Sequence, residues 1–467
     1  MAAMQPRRWP YFFMVSVGVL ISTMDSSMIN VALPSIMRSF SASLATTQLI
    51  VLSYLSTITI TLVLWGHLAD ILGKGRIYLL GILIFAVASI GCSLAASSVQ
   101  LVSIRCVQGA GAAMMMSSGP AIIKSVFPPE QIGRGLGLVG LATSIGLMSG
   151  PVISGLIIQH FSWRAVFIVT LPLSLSVYVV GRFKISLAKS PDARHFKHTF
   201  DWLGFSLWAA AIALFIAVIS FNALMSGAVI AGVSLCLVAV IGTFCLHERR
   251  AIQPLLPYAL FRRRFFATAS VTSTLSFTVL FMVILLLPFY LDYVVMLPAD
   301  RIGLVMLALP SSLVVVSPFA GWLYDHIGAR LPTTLGLAVC CLATANMTML
   351  HAETSIASIV ISLAVLGAGQ ALFLSPNSAS VLARVEERFV GIASGILATA
   401  RNVGMLLGVG VAGAVFSGVF ASLSSGRTLG GFQAADVPHF LSALHWTFWL
   451  AAALSLAGCL LSAFRNR

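Results

Sequence analysis

The stretch Gly66-His67-Leu68-Ala69-Asp70-Ile71-Leu72-Gly73 recurs as Gly321-Trp322-Leu323-Tyr324-Asp325-His326-Ile327-Gly328, with Gly, Leu, Asp and Gly at identical offsets. Each copy is a short polar break at the end of a long apolar run. A helix needs roughly 20 apolar residues to cross a bilayer. Outward from the two copies, such runs fall at 11–34, 45–65, 77–97, 100–122, 135–158, 164–182, 202–221, 226–246, 265–291, 302–323, 331–350, 354–380, 390–421 and 441–464. On both occasions the repeated stretch closes the second run in a block of six. The spacing predicts an all-α integral membrane protein with fourteen transmembrane helices. Two pseudo-symmetric six-helix bundles, over 1–182 and 265–467, flank an inserted helix pair with its linkers over 183–264. Parallel halves around a central site are a transporter arrangement.

Composition agrees. Hydrophobic residues make up 59% of the 467 and charged residues 9%, far fewer charges than a water-facing surface of this size needs. The runs are too long and uniform for the alternating strands of an outer-membrane barrel, and backbone groups in hydrocarbon are satisfied within a helix. The net charge of +14 does not point to nucleic acid, because the basic residues sit in short loops. Placing the amino terminus inside puts Arg7, Arg8, Lys74, Arg76, Arg134, Arg249, Arg250 and Arg330, with most of the rest, in the cytoplasm, leaving Arg38, Arg164, Arg301 and Arg427 outside. The opposite topology would reverse that bias. Both termini are therefore expected in the cytoplasm of a multi-pass protein of the cell membrane, in a bacterium the inner membrane. The first run, with Asp25 inside it and no small-residue cleavage site, reads as an uncleaved span. The seven cysteines show no metal spacing, no phosphate-binding Gly-x-x-x-x-Gly-Lys-Ser/Thr loop is present, and no constellation suggests an enzyme.

Charges inside apolar runs are costly, at least ~2.5–3.5 kcal/mol each on insertion scales, and need a partner or a wet cavity. Asp25 lies about 12 Å below the outer end of its run, and Arg105 about 8 Å below the start of its own. The two share one slab of the membrane. Burial favours a neutral acid and an adjacent guanidinium favours a charged one. A carboxylate balanced between them can release a proton, or the pair can simply fix helix packing. Arg401, about 16 Å from the cytoplasmic end of its run, can hold a substrate acid group, respond to protonation, or bond backbone carbonyls. Asp292, at an outer end, is either a second titratable group or a solvated acid. Asp70, Arg76 and Arg134 share the cytoplasmic face with Asp325 and Arg330. They can form a latch between spans that part when the cavity opens inward, helped by the positive end of the helix starting near Val390, or serve orientation alone.

The chain resembles the major facilitator superfamily, specifically its fourteen-helix drug:proton antiporter branch (the EmrB/QacA type). Met24-Asp25-Ser26-Ser27-Met28-Ile29-Asn30-Val31-Ala32-Leu33-Pro34 is similar to that branch's first-helix signature, and brings Asn30 in as a possible substrate or coupling residue. Gly66 through Arg76, with Asp70 and Gly73, resembles the superfamily's loop motif, departing at Ile71 and Gly75. Arg105-Cys106-Val107-Gln108-Gly109 resembles the fourth-helix motif. Gly146-Leu147-Met148-Ser149-Gly150-Pro151-Val152-Ile153-Ser154-Gly155 resembles the antiporter motif, with Ser154 in place of the usual glycine. The resemblance associates that motif with exporters. Physically it lays small residues along one stripe, allowing close helix approach, with a proline that permits a kink. It is plain packing or a tight seam between the halves, and Gly404-x-x-x-Gly408-x-Gly410-x-x-Gly413 can do the same in the second half.

Two functions follow. One is a proton-coupled antiporter exporting hydrophobic or amphipathic molecules by alternating access. The other is a transporter of a defined metabolite or a lipid, anionic or zwitterionic, in the same fold. The expected partners are the bilayer, a small-molecule substrate and protons. No other cofactor is expected, and the chain is expected to act as a monomer. One proton moving through ~180 mV supplies ~4 kcal/mol, enough to concentrate a neutral substrate about a thousandfold.

Overall fold

The computed structural model describes residues 8–127, 132–184, 200–220, 226–251, 254–255, 258–385 and 390–464. These fold into helices running up and down. In the first block they are α1 (Arg8–Ser39), α2 (Leu44–Leu72), α3 (Lys74–Ser93), α4 (Ser98–Val126), α5 (Ile132–His160), the short α6 (Ala165–Ile168) and α7 (Leu171–Lys184). Next come α8 (Trp202–Ser220) and α9 (Gly227–Glu248), then the short α10 (Tyr258–Phe261). The second block holds α11 (Arg264–Tyr293), the short α12 (Ala299–Met306), α13 (Ala308–Ile327), α14 (Arg330–Met347), α15 (Ile356–Arg384), α16 (Val390–Leu423) and α17 (Val437–Ala463). Every run singled out in the sequence is helical. Two are interrupted: 164–182 is α6 plus α7, with Pro172 just inside α7, and 302–323 is α12 plus α13. Twelve segments among the described residues are long and apolar enough to cross a membrane; α4 and α14 fall outside that set.

Serine marks where several helices begin. Ser43, Ser97, Ser226 and Ser355 cap α2, α4, α9 and α15, each accepting a backbone N–H three residues on, which satisfies a donor that the first turn leaves free. The repeated stretch ends each time on a glycine with positive φ, +100° at Gly73 and +77° at Gly328. Only a residue without a Cβ adopts such a turn between antiparallel helices without strain. The identical offsets thus serve the same requirement for positive φ.

In the first block α1 packs on α5, and α2 and α3 on α4; in the second α11 packs on α16, and α13 and α14 on α15. The glycine stripes explain the closest crossings. A Cβ on Gly146 or Gly150 would lie 2.8 Å from the Leu20 carbonyl oxygen and 3.0 Å from that of Met24, both on α1. Gly404 and Gly408, at the same spacing on α16, face Phe277 and Phe281 of α11 at 2.8 Å in the same sense. These four glycines therefore pack within a half, which corrects the idea that the whole stripe seals the seam between halves. Its last member does cross over: Gly155 meets Asp300 of α12, and Gly413 meets Gln48 of α2. Ser154, in place of a glycine, donates to the Met28 carbonyl at 2.8 Å.

Between α7 and α11 the inserted pair packs on itself, and α8 lies against α2 and α16. Trp208 donates to the Thr59 carbonyl at 3.1 Å, and Phe215 and Ile219 cover Gly410. The side chains of α9 are largely exposed, as expected where lipid is the solvent.

Candidate functional site

The two charges that the sequence set at one depth do meet. Arg105 on α4 donates from Nη1 to Asp25 Oδ2 on α1 at 2.7 Å, and the side chains are 0% and 2% exposed. Gln108 completes the group. One turn beyond Arg105, and so on the same face, its Oε1 accepts from Arg105 Nη1 at 2.6 Å while its Nε2 donates to Asp25 Oδ1 at 3.1 Å and to Ser89 Oγ at 2.9 Å. Arg105 Nε donates to the Ile50 carbonyl at 3.3 Å. Its guanidinium carbon stands 4.1 Å from the centre of the Tyr54 ring, whose hydroxyl pairs with Ser22 at 3.2 Å. Both carboxylate oxygens are held, and Arg105 Nη2 is the one guanidinium nitrogen with no partner.

Of the two ways to accommodate an embedded charge, Asp25 takes the partner rather than the wet cavity, since the residue is 3% exposed. The pair is enclosed by α1, α2, α3 and α4, because the long guanidinium stem reaches across the bundle interior. A buried pair of this kind contributes little net stability, but losing either partner alone costs ~3–5 kcal/mol. Protonating Asp25 would take an acceptor from Arg105 or Gln108, so the network is sensitive to a single proton. Gln108 was named in the sequence only as part of the fourth-helix motif, without a role of its own, and Tyr54 not at all. Gln108 was legible from its spacing to Arg105, whereas Tyr54 left no signal.

Asn30 does not join this group. It donates from Nδ2 to the Ser26 carbonyl at 2.8 Å, and its Oδ1 is unpaired. Asp292 is neither solvated nor free: it pairs with Arg38 of α1, and its side chain is 14% exposed. Arg38 also lies 5.8 Å from the Tyr293 ring centre. This ion pair joins the two halves beside a cavity of about 310 Å³ lined by Val31, Pro34, Ile158 and Leu297 among others. Arg401, on α16, is partly exposed and meets no acid or hydrogen-bond acceptor among the described residues.

Among the described residues the close approaches between halves gather at this end. They are Arg38 to Asp292, Gly155 to Asp300, Gly303 to Pro151, Gly413 to Gln48 and Gly430 to Ala42. At the other end Gly66 and Gly321 meet only their own halves, and Gly328 and Gly395 meet nothing within 4 Å. Asp70 there pairs with Lys74 at 3.7 Å and is 71% exposed, a contact worth well under 1 kcal/mol. Asp325 and Arg330 have no ion-pair partner among the described residues. The side chains of Arg134 and Val390 lie outside the described residues.

A helical membrane protein with a sealed charge network in one half, whose closest approaches between halves among the described residues gather at one end, fits the class of secondary transporters. The chain is a member of the Major Facilitator Superfamily, whose family model matches residues 15–409 and again 269–467. It is 30% identical to the riboflavin transporter RibZ of Clostridioides difficile, over 99% of this chain and 98% of that one. It is also 30% identical to the multidrug resistance protein Stp of Mycobacterium tuberculosis (86% and 74% covered), and 27% identical to the tetracenomycin C resistance and export protein of Streptomyces glaucescens (89% and 77%). Two crystal structures of a bacterial homologue of the human lysosomal transporter Spinster, inward-facing and either occupied or unoccupied, match with TM-scores of 0.70 and 0.71. They share 13% identity, over 98% and 99% of this chain and 97% and 98% of theirs, a likeness of fold.

Proposed function

We propose that this protein is a proton-coupled antiporter of the fourteen-helix drug:proton branch, exporting hydrophobic or amphipathic small molecules across the bacterial inner membrane. The observation that carries this reading is the Asp25–Arg105–Gln108 network, which holds the one acid of the first span at both oxygens. Helices α4 and α14 complete the fourteen spans, since a chain with cytoplasmic termini needs both for its halves to run parallel. Residues 1–182 and 265–467 act as the two moving halves, and 183–264 is an appendage. With the amino terminus inside, the contacts around Arg38 and Asp292 close the outer end, and the conformation is inward-open. Protons are the coupling ion, and the monomer is the working unit. Relatives bearing the names of multidrug and antibiotic exporters support export of amphipaths.

The test is substrate-induced proton release from purified protein across a pH series. Loss of release in Asp25→Asn is expected. Release that persists in that variant would move coupling to another group and overturn the role given to Asp25.

A second reading, a transporter of one defined metabolite, draws on the riboflavin transporter, which this chain matches end to end. Saturable uptake or efflux of riboflavin in proteoliposomes, unaffected by competing amphipathic dyes, would favour it.

Two variants probe the latches. Asp292→Asn removes the anion that ties the halves at the outer end, and cysteines placed in the outer seam should become about 5- to 10-fold more reactive, a shift of ~1 kcal/mol. Asp70→Asn should shift the resting state the opposite way, towards inward-open, because Asp70 engages Arg76, Arg134 and the Val390 helix end only when the cytoplasmic mouth is closed. Substrate binding should survive while transport slows. Unchanged accessibility of cysteines at that mouth would leave Asp70 with an orienting role alone.

A further inference from the structure

Arg401 sits roughly 16 Å along α16 from its start, deep in a helix whose window is counted among the membrane spans. Its side chain is partly exposed. Other arginines in or beside the spans are engaged: Arg105 with Asp25, Arg38 with Asp292 and Arg427 with Asp436. Arg401 has no acid, acceptor or aromatic ring to meet among the described residues, so its charge is left open to a ligand.

The direction of the side chain follows from the glycines around it. At about 100° per residue, Gly404 and Gly408 lie within roughly 60° on one side of Arg401, and they pack on α11. Gly413, which packs on α2 of the other half, lies about 120° to the other side, and Gly410, against α8, is opposite. Arg401 therefore points into the wedge between α11 and α2, the space between the halves, and away from the inserted pair and lipid. Asn402 follows on the flank turned towards α2. It is 5% exposed and its amide nitrogen is unpaired. Two adjacent residues thus present free donors to one space, and no acid among the described residues balances them.

We infer that Arg401, assisted by Asn402, is the recognition point for an acid group on the substrate. The compound carried is an amphipath bearing a carboxylate or similar monoanion, its apolar body lying between the halves. This rests on the antiporter reading and names its substrate class.

Two fluorescent probes that differ only in charge test it: dansylglycine and its amide, dansylglycinamide. Binding is measured on the full-length protein in phosphatidylcholine nanodiscs. The acid is expected to bind roughly 10-fold or more tightly than the amide, as a charge-assisted hydrogen bond in a dry site allows. Arg401→Gln should erase that preference by weakening the acid alone, and Arg401→Lys should keep part of it. Amide affinity within about 2-fold of the parent shows that the variant is folded, on the same scale. Equal affinities in the parent protein, or a preference that survives in Arg401→Gln, would overturn the inference. So would acid binding that weakens in proportion to added phosphatidylglycerol, because the site would then belong to a lipid headgroup. Proton release on probe binding is recorded in the same samples. Its absence beside an intact acid preference counts against the antiport reading and leaves the recognition role of Arg401 standing.

Discussion

Asp25→Asn should bind substrate and exchange it downhill, yet export nothing against a gradient driven by pH. The loss expected is complete, because among the described residues the carboxylate is the only acid enclosed in the first half with both oxygens in use. An amide is cheaper to bury than a carboxylate, which from sequence alone suggests an undisturbed fold. The structure changes that expectation. Arg105 is fully buried, and without Asp25 it keeps its charge with no counter-ion, a loss approaching ~3–5 kcal/mol if nothing compensates. The amide oxygen can still accept from Arg105, so the single variant should fold with a lowered melting temperature. Asp25→Asn combined with Arg105→Gln should regain most of that stability and none of the coupling. Thermal unfolding of purified protein, alongside transport in proteoliposomes at an imposed pH step, separates the two effects. Uphill export by the double variant would rule out this pair as the coupling site.

The second large effect is steric and depends on conformation. Gly155→Leu places a side chain where a Cβ alone would be 3.1 Å from Asp300 Cα and 3.2 Å from the Ala299 carbonyl carbon. Those atoms are backbone and cannot turn aside. They belong to the opposite half, so the clash exists only while the outer ends are together. An overpacking cost of about 3 kcal/mol would shift the population more than a hundredfold towards an outer-open state and stop transport to a similar degree. Gly150→Leu is the control. Its Cβ would lie 3.0 Å from the Met24 carbonyl oxygen, inside its own half, so it should destabilise the fold in every state without favouring one. Spin-label distances across the outer seam should widen in Gly155→Leu only. The same widening in both variants, or in neither, would count against the assignment of the seam.

Much of this was legible in the sequence because lipid imposes one-dimensional constraints. A span must be about 20 residues of apolar helix, so length and hydropathy mark most of the long helices, including the run 77–97, which contains no charge. The offset between Gly73 and Gly328 announced the repeat, and positive φ at both shows that the repeat is a backbone requirement. The depth of Asp25 and Arg105 followed from counting residues along an axis. Gln108 was within reach of the same count.

Direction around the axis was not legible. The sequence fixes which residues share a face of one helix, since the period is set by the backbone. Which neighbour that face meets is decided by how the helices pack together. Gly146, Gly150 and Gly155 read as one stripe, yet the first two touch α1 and the third touches the opposite half. Asp292 read as an isolated outer acid, and only packing brought Arg38, distant in the chain, to its side. Asp25 read as needing either a partner or a wet cavity, and only packing showed that the reach of a long arginine stem holds it in the bundle interior. Arg401 had several readings along the chain, and its lack of a partner emerged only once every neighbouring helix was in place. The sequence by itself determined the lipid solvent, the order of the long helices and the repeat, because those depend on distance along the chain. The tertiary structure decided which charges are paired and which glycines guard the seam, because those depend on the rotation of each helix against its neighbours.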